Sequence, residues 1–83
     1  MISLELFGTA GCHLCEEAEA LLQRAIAREA REFTLKTLDI ADDAAWLDQY
    51  GVRIPVLRDT NTGTELEWPF GLDELHQFFN PLT

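Results

Sequence analysis

The sequence predicts a single α/β domain with the element order β-α-β-α-β-β-α, built on a four-stranded mixed sheet flanked by three helices. The first forty residues read as strand, helix and strand, a unit whose crossover helix makes its two strands parallel. Two short apolar runs later flank a loop of turn-forming residues, which favours an antiparallel hairpin. An amphipathic stretch near the end of the chain predicts the last helix.

Length and composition restrict the class of protein. The 83 residues are 47% hydrophobic and 25% charged, which fits one domain over residues 1–83 with a small core. A net charge of −9 opposes binding to nucleic acid or anionic lipid. No apolar run approaches the roughly 20 residues of a membrane span, and the first residues lack the basic segment of a signal peptide. We therefore expect a cytoplasmic protein with no nucleic-acid or membrane partner, and the oligomeric state stays open.

The first strand and the first helix meet at the two cysteines of the chain. Ile2 to Phe7 alternates apolar with polar residues, and the small residues Gly8 to Gly11 end this strand. The apolar residues that follow have helical spacing, and the order of acidic before basic residues suits the helix dipole. The apolar positions are Leu14, Ala18, Leu21, Leu22 and Ala25, the acidic ones Glu16, Glu17 and Glu19, and the basic ones Arg24, Arg28 and Arg31.

The remaining elements follow from turn and cap residues. A short helix capped by Asp42 or Asp43 should end at Gly51 with a positive φ, and Asn80-Pro81 should end the last helix. The predicted strands are Phe33 to Ile40, Val52 to Leu57 and Thr64 to Trp68, around a hairpin loop at Asp59 to Gly63.

Most aromatic residues fit the pattern of packing positions, and one histidine does not look like a ligand. His76 neighbours the polar Gln77 and is expected to be exposed. The aromatic residues assigned to packing are Trp46, Tyr50, Trp68, Phe78 and Phe79.

The pair Cys12 and Cys15 forms a C-x-x-C motif at the start of the first helix. Residues three apart project from the same face, and their Cα atoms can meet the separation of about 4.4–6.8 Å that a disulfide requires. Cys12 falls at the N-cap or first turn, where unpaired N–H groups favour a thiolate, so we predict that it is the nucleophile. Cys15, one turn deeper, is the predicted resolving thiol. A protonated His13 would favour the thiolate, and the neighbouring acidic residues Glu16 and Glu17 would disfavour it.

Three functions are compatible with this motif. Beside a β-α-β pattern, C-x-x-C indicates redox chemistry. A metal or iron–sulfur module is the second, with Cys12, alone or together with Cys15, as a thiolate ligand across a dimer. Zinc usually needs four ligands and one chain adds only His13 and His76, so we predict no metal site within one chain, although two chains could share one. In the third, the thiols are idle and the domain serves protein docking.

The motif and its surroundings resemble a known family. The element order, Gly11-Cys12-His13-Leu14-Cys15 after the first strand and Ile54-Pro55 before the third are similar to the thioredoxin superfamily, especially small glutaredoxin-like proteins of bacteria. The resemblance covers nearly the whole chain. It implies a thioredoxin fold and a glutaredoxin-like oxidoreductase whose cysteines exchange with a protein or glutathione disulfide. It also implies a cis Ile54-Pro55 bond packed against the cysteines, an Ile54 backbone that pairs with substrate, and Arg53 beside that groove.

Glutathione is a candidate co-substrate, and no tightly bound cofactor is expected. Phe70 to Leu75 is similar to the glutaredoxin segment that binds the γ-glutamyl end, which implies contacts from Gly71 and Asp73. The chain departs from the family at Thr9-Ala10-Gly11, where glutaredoxins commonly carry a Lys-Pro pair, and at Phe70, which replaces a glycine. The substrate-binding candidates are therefore His13, Arg53, Ile54, Pro55, Gly71 and Asp73.

Overall fold

A computed structural model describes residues 1–82 of the chain. The predicted order of strands and helices is confirmed, with one additional 3₁₀ turn before the second helix. The elements are β1 (Ile2–Gly8), α1 (His13–Ala27), β2 (Phe33–Asp39), the 3₁₀ turn (Ile40–Asp42), α2 (Ala44–Tyr50), β3 (Val56–Asp59), β4 (Glu65–Glu67) and α3 (Leu72–Phe79).

The strands form one mixed sheet in the order β2-β1-β3-β4. β1 and β2 are parallel, as the crossover helix requires, and the other two pairs are antiparallel. β1 is therefore a central strand, and its carboxyl end leads directly into the turn that carries the cysteines. The end of β2 lies beside it, because Gly8 pairs with Asp39.

Both faces of the sheet are covered by helices. On one face, Leu4 and Leu6 of β1 join Leu22 of α1 and Phe79 of α3 in the larger apolar cluster. On the other face, Phe7 packs with the 3₁₀ turn, α2 and β3 in a smaller cluster. Burial of each such side chain contributes about 1.5–3 kcal/mol. Because successive side chains of β1 pack into the two clusters on opposite faces, the turn that follows β1 and carries the cysteines is held between two packed layers.

The aromatic side chains serve packing, as predicted. Tyr50 and Phe79 are fully buried, and the rings of Phe7 and Tyr50 stack with centroids 4.2 Å apart. Trp46, Trp68 and Phe78 are half-buried against the two clusters. His76 is less exposed than predicted: its side chain keeps 40% of its surface, and Nδ1 lies 3.6 Å from Glu29 Oε2.

The predicted start of the third strand is wrong. The segment from Val52 to Ile54 forms a turn, because the carbonyl of Tyr50 accepts hydrogen bonds from the amides of Arg53 (2.8 Å) and Ile54 (3.2 Å). These bonds wind the backbone back onto α2, so β3 begins only at Val56. Val52, β-branched and predicted to be in a strand, is fully exposed.

Gly51 ends α2 for a different reason from the one predicted. Its φ is −51°, in the right-handed region, and not positive. A Cβ atom at this position would lie 2.5 Å from the carbonyl oxygen of Leu47, so close approach requires the glycine. Positive φ angles occur instead at Gly11 (77°) and Gly63 (76°).

The ends of α1 also differ from expectation. Leu14 is 46% exposed, although the predicted apolar stripe began there. Arg28 caps the carboxyl end of the helix, so Arg31 lies beyond it and only Arg24 sits in the last turn. Within residues 1–82, no helix is long and apolar enough to cross a membrane.

Candidate functional site: the cysteine turn

The turn between β1 and α1 places Cys12 at the helix N-terminus. Gly11 adopts a positive φ, which an L side chain rarely adopts, and the amide of Cys12 donates to the carbonyl of Thr9 at 3.4 Å. Cys12 is the N-cap residue, and its Sγ accepts a hydrogen bond from the amide of Cys15 at 3.2 Å. This N–H group and the positive end of the helix dipole both favour negative charge on the Cys12 sulfur.

Cys12 and Cys15 form a disulfide with their Cα atoms 5.2 Å apart. The two sulfurs are unequally accessible: Cys12 is half-buried, and Cys15 keeps only 9% of its surface. The spacing argument for a disulfide and the deeper position of Cys15 are both confirmed. Cys12 is therefore the more exposed of the two residues, and Cys15 lies behind it.

Gly8 allows the inner sulfur to pack against β1. A Cβ atom at position 8 would lie 3.0 Å from Cys15 Sγ and 3.1 Å from Cys15 Cβ, closer than side-chain carbons ordinarily approach. Sequence reasoning treated Gly8 only as the end of a strand and missed this contact. A glycine as the last residue of a strand just before C-x-x-C was the available signal.

His13 points into solvent. Its side chain is 96% exposed, and Nδ1 lies 3.9 Å from Glu16 Oε2, which is a weak, solvent-screened pair. His13 is absent from the wall of the cavity described below, whereas Glu16 belongs to it.

The turn before β3 carries the predicted cis bond between Ile54 and Pro55. Pro55 is fully buried, and its carbonyl accepts a hydrogen bond from the amide of Trp68 at 3.2 Å. The amide of Ile54 already donates to the Tyr50 carbonyl. The amide of Ile54 is therefore paired, whereas its carbonyl has no backbone partner within residues 1–82.

Arg53 is half-buried and is held in place by two carboxylates of β4. Its Nη2 lies 2.8 Å from Glu65 Oε1 and 3.2 Å from Glu67 Oε2, and the guanidinium stacks over the Tyr50 ring at 5.3 Å. Hydrogen bonds to Glu65 and then Glu67 raise the pKa of Arg53. The positive charge beside the Ile54-Pro55 turn is thus balanced within the protein.

Tyr50 and Glu65 complete this network. The Tyr50 hydroxyl donates to Glu65 Oε2 at 2.6 Å. Burial, followed by this hydrogen bond, raises the pKa of Tyr50. Burial alone would raise the pKa of Glu65, but the hydrogen bonds from Tyr50 and Arg53 outweigh it and lower that pKa. Tyr50 therefore anchors the turn through both its carbonyl and its hydroxyl group.

Gly71 and Asp73 lie at the start of α3. Gly71 is the N-cap residue, and its amide donates to Glu74 Oε1 at 2.7 Å. Asp73 is exposed in the first turn, where an acidic group suits the helix dipole. The one backbone donor that Gly71 could offer a ligand is occupied by a carboxylate of the same helix.

A cavity of about 360 Å³ adjoins the disulfide. Both sulfur-bearing residues belong to its wall, and the six substrate-binding candidates do not. Because β2 and β3 flank β1 on opposite sides, the cavity lies on the β2 side of the disulfide and the Ile54-Pro55 turn on the β3 side. The wall is formed by Leu6, Gly8, Thr9, Ala10, Cys12, Cys15, Glu16, Glu19, Thr37, Leu38, Asp39 and Asp42.

Comparison with known proteins identifies the family. The sequence profile of the Glutaredoxin-like domain (DUF836) matches residues 3–80. The chain belongs to this glutaredoxin-like family. Its fold is the thioredoxin fold, and the predicted membership of the thioredoxin superfamily is confirmed. No match is found among the curated proteins.

Solved structures agree with this assignment. The X-ray structure of target protein XcR50 from X. campestris shares 39% identity with a TM-score of 0.79, over 96% of this chain and 99% of that one. Protein Ne2328 from Nitrosomonas europaea shares 29% identity with a TM-score of 0.78, over 93% and 89% of the two chains. Thioredoxin 1 from Thermosipho africanus, at 13% identity and a TM-score of 0.63 over 94% and 90%, shares the fold.

A glutaredoxin-like domain with a C-x-x-C disulfide at a helix N-terminus supports a redox type of function. Within residues 1–82, no group of three or more His, Cys, Asp and Glu side chains is arranged to hold a metal ion. The two cysteines, which a metal site would need as thiolates, are bonded to each other.

Proposed function

We propose that the protein is a thiol–disulfide oxidoreductase in which Cys12 attacks the substrate and Cys15 resolves the product. The observation that carries the proposal is the unequal placement of the two sulfurs. Cys12 caps α1 with its sulfur accepting an N–H bond, and Cys15 is nine-tenths buried behind it. A substrate therefore reaches Cys12 first, and Cys15 is held where it can attack only Cys12.

The reaction exchanges two electrons between sulfur atoms. In the reduced protein, the Cys12 thiolate attacks one sulfur of a substrate disulfide, and the other sulfur leaves as a thiolate that takes up a proton. Cys15, as a thiolate after losing its proton to solvent, then attacks Cys12 Sγ and releases the second substrate thiolate. The substrate disulfide is reduced, the Cys12–Cys15 disulfide is formed, and an external thiol reductant restores the dithiol.

Protein disulfides and glutathione disulfide are both proposed substrates. The unpaired carbonyl of Ile54, next to the buried Pro55, can accept one main-chain hydrogen bond from an extended segment. Asp73 is exposed at the start of α3 and can meet an ammonium group, such as that of a γ-glutamyl end. Arg53, neutralised by Glu65 and Glu67, positions the turn and leaves little charge for an anionic substrate.

The test is the reaction of the reduced protein with bis(2-hydroxyethyl) disulfide in the absence of other thiols. We expect the wild-type protein to lose both thiols and to release two equivalents of 2-mercaptoethanol per chain. Cys12→Ser should release none above background, which would place the attack on Cys12. A wild-type protein that keeps both thiols, or a Cys12→Ser variant that reacts like the wild type, would overturn the proposal.

A further inference from the structure

The cavity beside the disulfide has a strongly acidic wall. Four carboxylates contribute to it, Glu16 and Glu19 from α1 and Asp39 and Asp42 from the end of β2 and the 3₁₀ turn. The wall includes no Lys, Arg or His among the described residues. Its apolar part comes from the strands, with Leu6 of β1 and Leu38 of β2. The cavity is thus a small acidic recess between α1 and the parallel pair of strands.

These carboxylates are not neutralised inside the protein. Among residues 1–82, neither Lys nor Arg lies within ion-pair distance of the four, and only Glu16 has a histidine nearby, the exposed His13 at 3.9 Å. Glu65 and Glu67 differ from these four, because each of them lies within ion-pair distance of Arg53. Negative charge near the disulfide is therefore left for a ligand or solvent to balance.

Asp39 is held in place at the rim of the cavity. Its Oδ1 accepts hydrogen bonds from Thr9 Oγ1 at 3.1 Å and from the amide of Ala41 at 2.9 Å. The first of these bonds joins two residues of the cavity wall, Thr9 directly after β1 and Asp39 at the end of β2. A carboxylate oriented in this way loses little side-chain entropy when it meets a cation.

The recess adjoins the two cysteines. Cys15 is nine-tenths buried, yet both it and Cys12 contribute to the wall, so a group seated in the cavity lies next to the atoms that exchange. A volume of about 360 Å³ is in the range of small-ligand sites, roughly 300–1,000 Å³.

We propose that this cavity selects disulfide substrates that carry an ammonium or guanidinium group close to the reacting sulfur, a preference that rests on the thiol–disulfide exchange proposed above. A cation bonded near one substrate sulfur would sit among Glu19, Asp39 and Asp42 while that sulfur meets Cys12. An anionic disulfide would react more slowly at the same point, so glutathione disulfide, which carries a net negative charge, would be a slower substrate than a cationic disulfide. The charge that a substrate carries near its reacting sulfur thus determines how fast it reacts with Cys12.

The experiment compares three simple disulfides that differ mainly in charge: cystamine (cationic), bis(2-hydroxyethyl) disulfide (neutral) and 3,3′-dithiodipropionate (anionic). Each rate constant for oxidation of the reduced protein is divided by the rate constant of the same disulfide with dithiothreitol, which corrects for the leaving thiol. We expect the normalised rate constant to be highest for cystamine, lower for the neutral disulfide and lowest for the anionic one. At low salt, the value for cystamine should exceed that for the neutral disulfide at least about tenfold. The preference should fall as salt is added.

The variants separate the cavity from the overall charge of −9. Glu19→Gln and Asp42→Asn should each lower the ratio of cystamine to neutral rates about twofold or more, and the double variant further. Glu32→Gln is the matched control, because it removes the same charge at the opposite end of β1, where the Glu32 carbonyl accepts from the amide of Ile2. We expect it to keep the wild-type ratio.

Two failures are distinguishable. If the reduced protein oxidises with none of the three disulfides, the proposed oxidoreductase function fails and this inference fails with it. If it reacts with all three but the ratio is near one, or if Glu32→Gln lowers the ratio as much as Glu19→Gln and Asp42→Asn, the oxidoreductase stands and the acidic cavity does not select the substrate.

Discussion

Gly8 packs so closely against the buried Cys15 that a Cβ atom at position 8 would lie 3.0 Å from Cys15 Sγ. The last residue of the central strand and the inner sulfur of the motif are therefore fitted to each other. Any side chain at position 8 must displace Cys15, and Cys15 is the group that closes the disulfide in the proposed reaction.

Gly8→Ala should therefore destabilise the protein and slow disulfide closure. The extra methyl group overfills a packed site, so we expect the free energy of unfolding to fall by about 1–3 kcal/mol. Displacement of Cys15 should also slow its attack on a mixed disulfide at Cys12. Denaturant unfolding measures the first effect, and rapid acid quench with mass spectrometry measures the second.

Gly63→Ala is the control for this variant. Gly63 has a φ of 76° in the hairpin loop and open space around it, so alanine there should cost about 1 kcal/mol through backbone strain alone. We expect Gly63→Ala to close the disulfide at the wild-type rate. Equal closure rates in both variants would show that contact with Gly8 does not position Cys15.

The unequal burial of the two sulfurs predicts opposite results for two serine variants. Cys15→Ser should accumulate a stable mixed disulfide on Cys12 when treated with bis(2-hydroxyethyl) disulfide, because no second thiol can displace it. Cys12→Ser should form little adduct, because Cys15 is only 9% exposed. Intact-mass spectrometry followed by peptide mapping locates the adduct. Rapid adduct formation on Cys15 in the Cys12→Ser variant would contradict the assigned roles.

The hydrogen bond from Tyr50 to Glu65 should contribute to stability in a pH-dependent way. Because the folded protein lowers the pKa of Glu65 below its usual value of 4.5, this contribution is complete above pH 4.5 and is lost as pH falls through the lowered pKa. The pKa of Tyr50 is raised above 10.0, so the contribution of Tyr50 is complete below that pH and is lost only as pH rises through the raised pKa.

Tyr50→Phe and Glu65→Gln should each lower the free energy of unfolding near neutral pH by about 1 kcal/mol. The difference between the wild type and Glu65→Gln should shrink as pH falls below 4.5. Glu67→Gln is the control, because Glu67 is 54% exposed and its contact with Arg53 is open to solvent. We expect this variant to change the free energy of unfolding by no more than about 0.5 kcal/mol. A Glu65→Gln deficit that grows in acid would reverse the predicted sign.

Arg31 fastens the end of the chain to the turn after α1. Its Nη1 donates to the carbonyls of Phe79 (3.1 Å) and Leu82 (2.6 Å). Arg31→Gln should therefore lower the free energy of unfolding by about 1–2 kcal/mol, since the charge-assisted bonds to the carbonyls of Phe79 and Leu82 are lost. Arg24→Gln removes the same charge from an exposed position in α1 and should change stability little. Equal losses in chemical denaturation would assign the effect to net charge.

Local patterns predict much of this molecule. The element order follows from periodicity and cap residues, and Asp43 does cap α2 by accepting from the amide of Ala45. The position of Cys12 at a helix N-cap follows from small residues between a strand and a helix. These features depend on neighbours in the chain, so the sequence displays them directly.

Features that depend on the exact path of the backbone, or on contacts between distant elements, could not be predicted in the same way. Val52 to Ile54 has strand-like composition, but hydrogen bonds to the Tyr50 carbonyl make it a turn. Gly51 looks like a positive-φ residue, and only the Leu47 carbonyl shows why it is glycine. The acidic cavity forms because pairing of β1 with β2 brings Asp39 and Asp42 beside the glutamates of α1, a juxtaposition that no local pattern contains.

The central claim is that Cys12 and Cys15 form a reversible two-electron couple. The most direct measurement equilibrates the protein across thiol–disulfide redox buffers of known potential, quenches the thiols with acid and an alkylating agent, and determines the oxidised fraction by intact mass. We expect loss of two hydrogens in one transition with a defined midpoint, and no such transition in either serine variant. Thiols that stay reduced at every potential, or a disulfide that no buffer reduces in the folded protein, would contradict it.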